Sequence, residues 1–175
     1  MTSQSRADEV FVDSFGVTIH FHRWSPKKTP VGILQLAHGL GEHALRYQAL
    51  VDFLVTAGFE VWANEHRGHG ATGVEQWSGD MTKMGKLGPG GMRATLRSVR
   101  DFTKLIRAER PGIPLYFLGH SWGSIMGQMI LNQGGAADYE GMIHTGTAYR
   151  WPGSMNAGDL NSRHKHLGTI GAEWL

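Results

Sequence analysis

Gly119-His120-Ser121-Trp122-Gly123 brackets a serine with glycines two positions before and after it. This is the spacing a hydroxyl nucleophile needs on a sharp turn, and the chemistry it points to is acyl transfer through an acyl-Ser121 intermediate that water releases. Residues 115–118 before the motif form a short apolar run and residues 121–132 after it an apolar helix, so the serine falls on a strand-turn-helix junction. Such a strained turn pushes Oγ out above a sheet, side chains at 119 and 123 would collide there, and the helix start brings a positive dipole end to developing negative charge. The pattern is weak by itself, because a glycine-rich chain matches it by chance. The competing reading is a β-α turn with an ordinary helix-capping serine.

A second motif, His38-Gly39-Leu40-Gly41-Glu42-His43, closes the apolar run of residues 31–37. A tetrahedral acyl intermediate needs two preorganised N–H donors, one from the residue after the nucleophile and one from a loop of this kind. The expected donors are Trp122 and Leu40, the latter flanked by glycines that let the backbone approach the oxyanion. Alone, this loop reads as a tight β-α turn. The predicted catalytic set is therefore Ser121, Leu40 and Trp122.

The elements that must position these residues can be read from periodicity. Residues 10–12 and 17–24 predict two strands, with Asp13-Ser14-Phe15-Gly16 as a hairpin turn. Residues 31–37, 59–64, 115–118 and 141–145 predict buried strands. Leu45, Leu50, Phe53, Leu54 and Ala57 recur at helical spacing up to Gly58. Leu96, Val99, Phe102 and Ile106 line one face of a helix over 95–107 that Pro111-Gly112 ends. Strands alternating with helices imply a mostly parallel sheet with helices on both faces. From Tyr149 onward the chain turns polar and weakly periodic, which divides it into residues 1–148 and a segment 149–175.

The three motifs His38-Gly39-Leu40-Gly41-Glu42-His43 with Arg46-Tyr47, Glu65-His66-Arg67-Gly68-His69-Gly70, and Gly119-His120-Ser121-Trp122-Gly123 together resemble the monoacylglycerol lipase and lysophospholipase group of α/β-hydrolases, over about residues 10 to 150. The family pattern has aspartate at Glu65, serine at Thr72 and methionine at Trp122. The first two differences read as conservative turn substitutions, while the bulkier indole is expected to reshape the acyl pocket. The resemblance implies the α/β-hydrolase fold and lipid-like ester substrates such as monoacylglycerols or lysophospholipids. It also implies a cap or lid beginning at 149–175, through which a transient membrane-surface contact would run. A triad aspartate and histidine would come later in chain order, so the final strands and both triad partners are expected outside these 175 residues, in a longer chain or on a second polypeptide or fragment that completes the fold. Until that segment is supplied, the 141–145 strand is expected to present an open edge. An amidase, peptidase or thioesterase of the same fold, or a non-catalytic remnant acting as a binding module, are the alternatives; a serine nucleophile argues against a dehalogenase.

The histidines present are weighed as substitutes for the missing base. His120 should point away from Ser121, His38 reads as a structural histidine at the site floor, and His66 and His69 as parts of a turn. His144 is placed after the last strand, at a core or rim position, and His164 and His166 in the cap. His66-x-x-His69 and His164-x-His166 lack a third ligand, so neither a metal nor a cofactor is expected. No cysteine is present, which excludes disulfides and a thiol nucleophile. The formal net charge of +2 without a Lys/Arg run argues against nucleic acid as a partner. No signal peptide or bilayer-length apolar run is found, and a cytoplasmic location is the default expectation.

Overall fold

Residues 5–147 are described by the structure, a computed structural model. The expected cap segment, with His164 and His166, lies outside them. Asp13 starts the fold locally: its Oδ1 accepts the N–H groups of Phe15 (2.9 Å) and Val17 (3.0 Å), closing the turn between β1 (Ser5–Val12) and antiparallel β2 (Thr18–Ser25). β1 begins five residues earlier than periodicity predicts. Arg6, Asp8 and Glu9 disguise it as polar chain, yet Asp8 and Glu9 pair across the strands with His22 (2.7 Å) and Arg23 (2.7 Å).

Four parallel strands follow: β3 (Gly32–Ala37), β4 (Phe59–Asn64), β5 (Leu115–His120) and β6 (Gly141–Thr145), giving the sheet order β1-β2-β4-β3-β5-β6. β3 is buried at every position, as its unbroken apolar run predicts. Its residues alternate between two cores. Ile33 and Ala37 face α3 (Gly91–Glu109) and α4 (Trp122–Asn132), joining Trp62, Val99, Phe102, Phe117, Met126 and Ile130. Leu34 and Leu36 face the other way, onto Val51 and Val55 of α1 (Gln48–Thr56). Each such buried side chain contributes about 2 kcal/mol. Helices therefore cover both faces.

Three local expectations need correction. The predicted 45–57 helix is a 3₁₀ turn, Ala44–Tyr47, followed by α1, and it buries Val51 and Val55 while Phe53 is 69 % exposed. The sheet decides which stripe faces inward, and the sequence carries two competing ones. α2 (Gly70–Gln76) was not legible, because Gly70 and Gly73 weaken helix propensity. His144 lies inside β6 rather than after it. β6 pairs only with β5 among the described residues, leaving its outer edge unpaired there. No helix among them is long and apolar enough to cross a membrane.

Candidate active site

β5 delivers the chain to Ser121 and α4 carries it away, and the serine between them has φ 50°, ψ −113°. That left-handed backbone costs a non-glycine residue about 1–3 kcal/mol. Surrounding bonds hold it there. Ser121 N–H donates to Thr145 O (2.8 Å), and its carbonyl accepts from Ser124 N–H (3.0 Å), Ile125 N–H (3.1 Å) and Ser124 Oγ (2.6 Å). The hydroxyl makes no helix-capping bond, so the capping reading of this serine fails.

The flanking glycines are required by packing. A Cβ on Gly119 would sit 2.5 Å from Gly123 O, and one on Gly123 would sit 2.0 Å from Ala37 O at the end of β3. This contact seats α4 against the strand that leads into the 38–43 loop. The loop reaches Ser121 at Gly39, where a Cβ would lie 3.3 Å from Ser121 Cβ. Sequence motifs about 80 residues apart in the chain thus meet at one point.

Glu42 folds back over its own loop. Its Oε1 accepts from Gly39 N–H (2.5 Å) and Tyr47 Oη–H (2.5 Å), and Arg46 Nε lies 3.4 Å from Oε2. Gly39 N–H is thereby engaged, while Leu40 N–H makes no hydrogen bond among the described residues. Leu40 is exposed. Trp122 is the first residue of α4, which puts its backbone N–H next to Ser121. Its indole is buried, donates from Nε1 to Met92 Sδ (3.3 Å) and packs on His66 (5.2 Å) and His69 (5.3 Å). The expectation that this ring reshapes an acyl pocket is therefore corrected: it fills the core under the site.

The histidines expected as neighbours are buried and neutral. His38 donates from Nδ1 to Gly39 O (2.7 Å) and accepts His66 N–H at Nε2 (3.1 Å). His66 donates from Nε2 to His38 O (3.2 Å), and its Nδ1 faces Asn64 Nδ2 (3.2 Å). His69 donates from Nδ1 to Arg67 O (2.9 Å). Burial pushes His38 down to about 4, with a further push from His69, and depresses His66 and His69 as well. None can accept a proton from Ser121 Oγ, which bonds no histidine among the described residues. His120 turns its Nδ1 to Thr145 Oγ1 (3.0 Å), and its ring lies 6.3 Å from that of Tyr47. Among the described residues no three ligating side chains converge to hold a metal.

A cavity of about 330 Å³ opens between residues 41–43 and 68–70, bordered by Met84 and Gly85; Ser121 is not in its wall. Two carboxylates close to the loop, Glu42 and Glu65, were missed as site residues. The available signal was an acidic residue inside each glycine-rich motif, where turn geometry alone needs no charge. Glu65 is nearly fully buried, not a surface turn residue. The Arg67 of the same motif is also buried, paired with Asp13 (3.3 Å) and donating to Leu87 O (3.0 Å) and Pro89 O (3.1 Å), which ties the 84–90 loop to the first hairpin.

Comparison with known proteins finds the same organisation elsewhere. The family described as "Serine aminopeptidase, S33" matches residues 28–172. A monoacylglycerol lipase of Mycolicibacterium smegmatis is 31% identical over 157 residues, covering 85% of this chain and 49% of that protein. The human monoglyceride lipase is 29% identical over 112 residues, covering 64% of this chain and 34% of that protein. The crystal structure of a thermostable carboxyl esterase from Bacillus coagulans superposes with a TM-score of 0.77 at 29% identity, covering 93% of this chain and 50% of that one. The chain thus spans half or less of the length of these proteins, and its sheet and helices are those of an α/β-hydrolase.

Proposed function

Because the chain belongs to the serine aminopeptidase S33 family, we propose that it is the nucleophile-bearing part of a serine hydrolase that cleaves carboxylic esters. Ser121 Oγ gives its proton to the activating histidine and attacks the ester carbonyl, Leu40 and Trp122 N–H groups hold the oxyanion, the acyl C–O bond breaks as the alcohol leaves with that proton, and water then releases the acid from acyl-Ser121. The observation that carries this reading is Ser121 itself, held at φ 50° with an uncapped hydroxyl beside the Gly39 loop. The names of the Mycolicibacterium and human relatives support a lipid-like ester such as a monoacylglycerol or lysophospholipid. We assign the activating histidine and its aspartate to a longer chain or a second polypeptide; support comes from the relatives, half or less of whose length the chain spans, and from Ser121, which no imidazole among the described residues bonds. A cap beginning near residue 149 and reaching a membrane surface, in a cytoplasmic protein, completes the proposal.

The test is Ser121→Ala in the protein as its gene encodes it. Ester turnover should fall on the order of 10³-fold or more with folding unchanged, and a fluorophosphonate should label the parent at Ser121 and not the variant. Retained turnover would move the chemistry elsewhere, and an unlabelled parent would make the chain a non-catalytic remnant. The family description favours a second reading, hydrolysis of an aminoacyl amide. Higher kcat/KM on aminoacyl anilides than on acyl esters would select it.

A further inference from the structure

The buried carboxylate of Glu65, immediately after β4, is absorbed by no step of the chemistry above. Both its oxygens accept Ala44 N–H (3.2 Å each), the first residue after the 38–43 loop. Its neighbour His66 holds the other end of the same loop, donating its N–H to His38 Nε2 (3.1 Å) and its Nε2–H to His38 O (3.2 Å). Residues 65 and 66 therefore grip the loop at both ends. The Glu65 backbone is itself fixed, its N–H on His20 O (2.8 Å) and its carbonyl accepting Thr72 Oγ1 (2.9 Å).

We propose that Glu65 is a positioning residue for the oxyanion loop, braced by His22 so that its bond to Ala44 fixes the direction of Leu40 N–H. This rests on the reading of Leu40 as an oxyanion donor. His22 stands on β2 with Nε2 3.2 Å from Glu65 Oε1 and Nδ1 2.7 Å from Asp8 Oδ1 on β1, an imidazole bridging two carboxylates. Burial alone would lower its proton affinity, but the bonds to Glu65 and Asp8 outweigh this and raise it. Burial would likewise push Glu65 up, and the His22 and Ala44 bonds hold it below the usual carboxylate range. The other nearby imidazole, His38, lies 3.6 Å from Oε2 but is held neutral by burial, which leaves His22 as the imidazole that hydrogen-bonds Glu65. The line Asp8–His22–Glu65–Ala44 carries the sheet edge to the loop.

Glu65→Gln keeps the shape and removes the charge. The oxyanion exists only in the transition state, so a misdirected donor lowers kcat and spares KM. We expect kcat on an acyl ester to fall about 10-fold or more, within the cost of losing one oxyanion donor, with KM within about 2-fold of the parent. Hydrogen exchange at the Ala44 amide should accelerate, a readout independent of turnover. If Glu65→Gln does not fold, His22→Gln leaves the carboxylate in place and should show the same split at smaller amplitude. Parent-like kcat together with parent-like Ala44 exchange in a folded variant overturns the proposal, as does a rise in KM with kcat unchanged. A parent that neither labels nor turns over refutes the hydrolase reading, and Ala44 exchange then decides the positioning role alone.

Discussion

Lowering the pH from 7 toward 4 forces protons onto imidazoles that the fold keeps neutral. His38, His66 and His69 are buried, their rings packed within 4.0 Å (His38 to His66) and 5.6 Å (His38 to His69); both ring nitrogens of His38 and His66 are engaged, while His69 uses Nδ1 alone and its buried Nε2 has no partner among the described residues. The His38 value lies at about 4 in the folded chain against 6.5 for a free imidazole. Between those two values the unfolded chain binds the proton and the folded chain does not, so stability falls as pH falls through that window. The difference corresponds to about 3 kcal/mol from His38 alone, and His66 and His69 add in the same direction. Set against a typical total of about 5–15 kcal/mol, that loss is large. His22 does not offset the slope: its folded value is raised, so its contribution is fully present below 6.5 and is lost only as pH rises through the folded value. Glu65, shifted down, loses its contribution only as pH falls below 4.5 toward its folded value. The assay is a series of thermal melts from pH 7.5 to 4.5 at constant ionic strength. A drop of about 10 °C is expected across the series, and His38→Asn should flatten part of it. A melting temperature independent of pH, or imidazole NMR signals for all ten histidines titrating near 6.5, would refute the reasoning.

Gly123→Ala places a Cβ 2.0 Å from the Ala37 carbonyl, a backbone atom that cannot yield without moving β3. A loss of about 3 kcal/mol or more is expected in denaturant melts, with fluorophosphonate labelling at Ser121 reduced in whatever remains folded. Arg67→Met removes the cation beside the buried Asp13 carboxylate and the guanidinium bonds to the carbonyls of Leu87 and Pro89, of which Leu87 O keeps the bond from Gln76 Nε2 (3.0 Å). It should cost about 3–5 kcal/mol, while the double change Asp13→Asn with Arg67→Met should cost less than the sum of the two single changes. Additive costs would show that the pair does not interact.

How much could be read beforehand varies from one residue to another. Ser121 and its glycines were legible because the constraint is local: a strand, a turn and a helix in consecutive residues require small side chains at 119 and 123. β3 and β5 were legible as unbroken apolar runs. β1 was only half legible, since Asp8 and Glu9 owe their place in a strand to His22 and Arg23 across the sheet. Phe53 was misplaced because helical periodicity fixes spacing and leaves open which stripe the sheet will cover.

The sequence by itself determined the glycine-bracketed serine, the strand-turn-helix that strains it, and the class of fold, because each depends on side-chain size and apolar pattern over a few neighbouring residues. Only the tertiary structure decided what surrounds them. Packing brought Gly39 against Ser121, turned the Trp122 indole into the core, kept three histidines neutral, and made Glu65 an internal carboxylate bonded to Ala44. The physical reason is distance along the chain: burial, charge pairing and hydrogen bonding between segments tens of residues apart follow from how sheet and helices pack, and no local pattern encodes them.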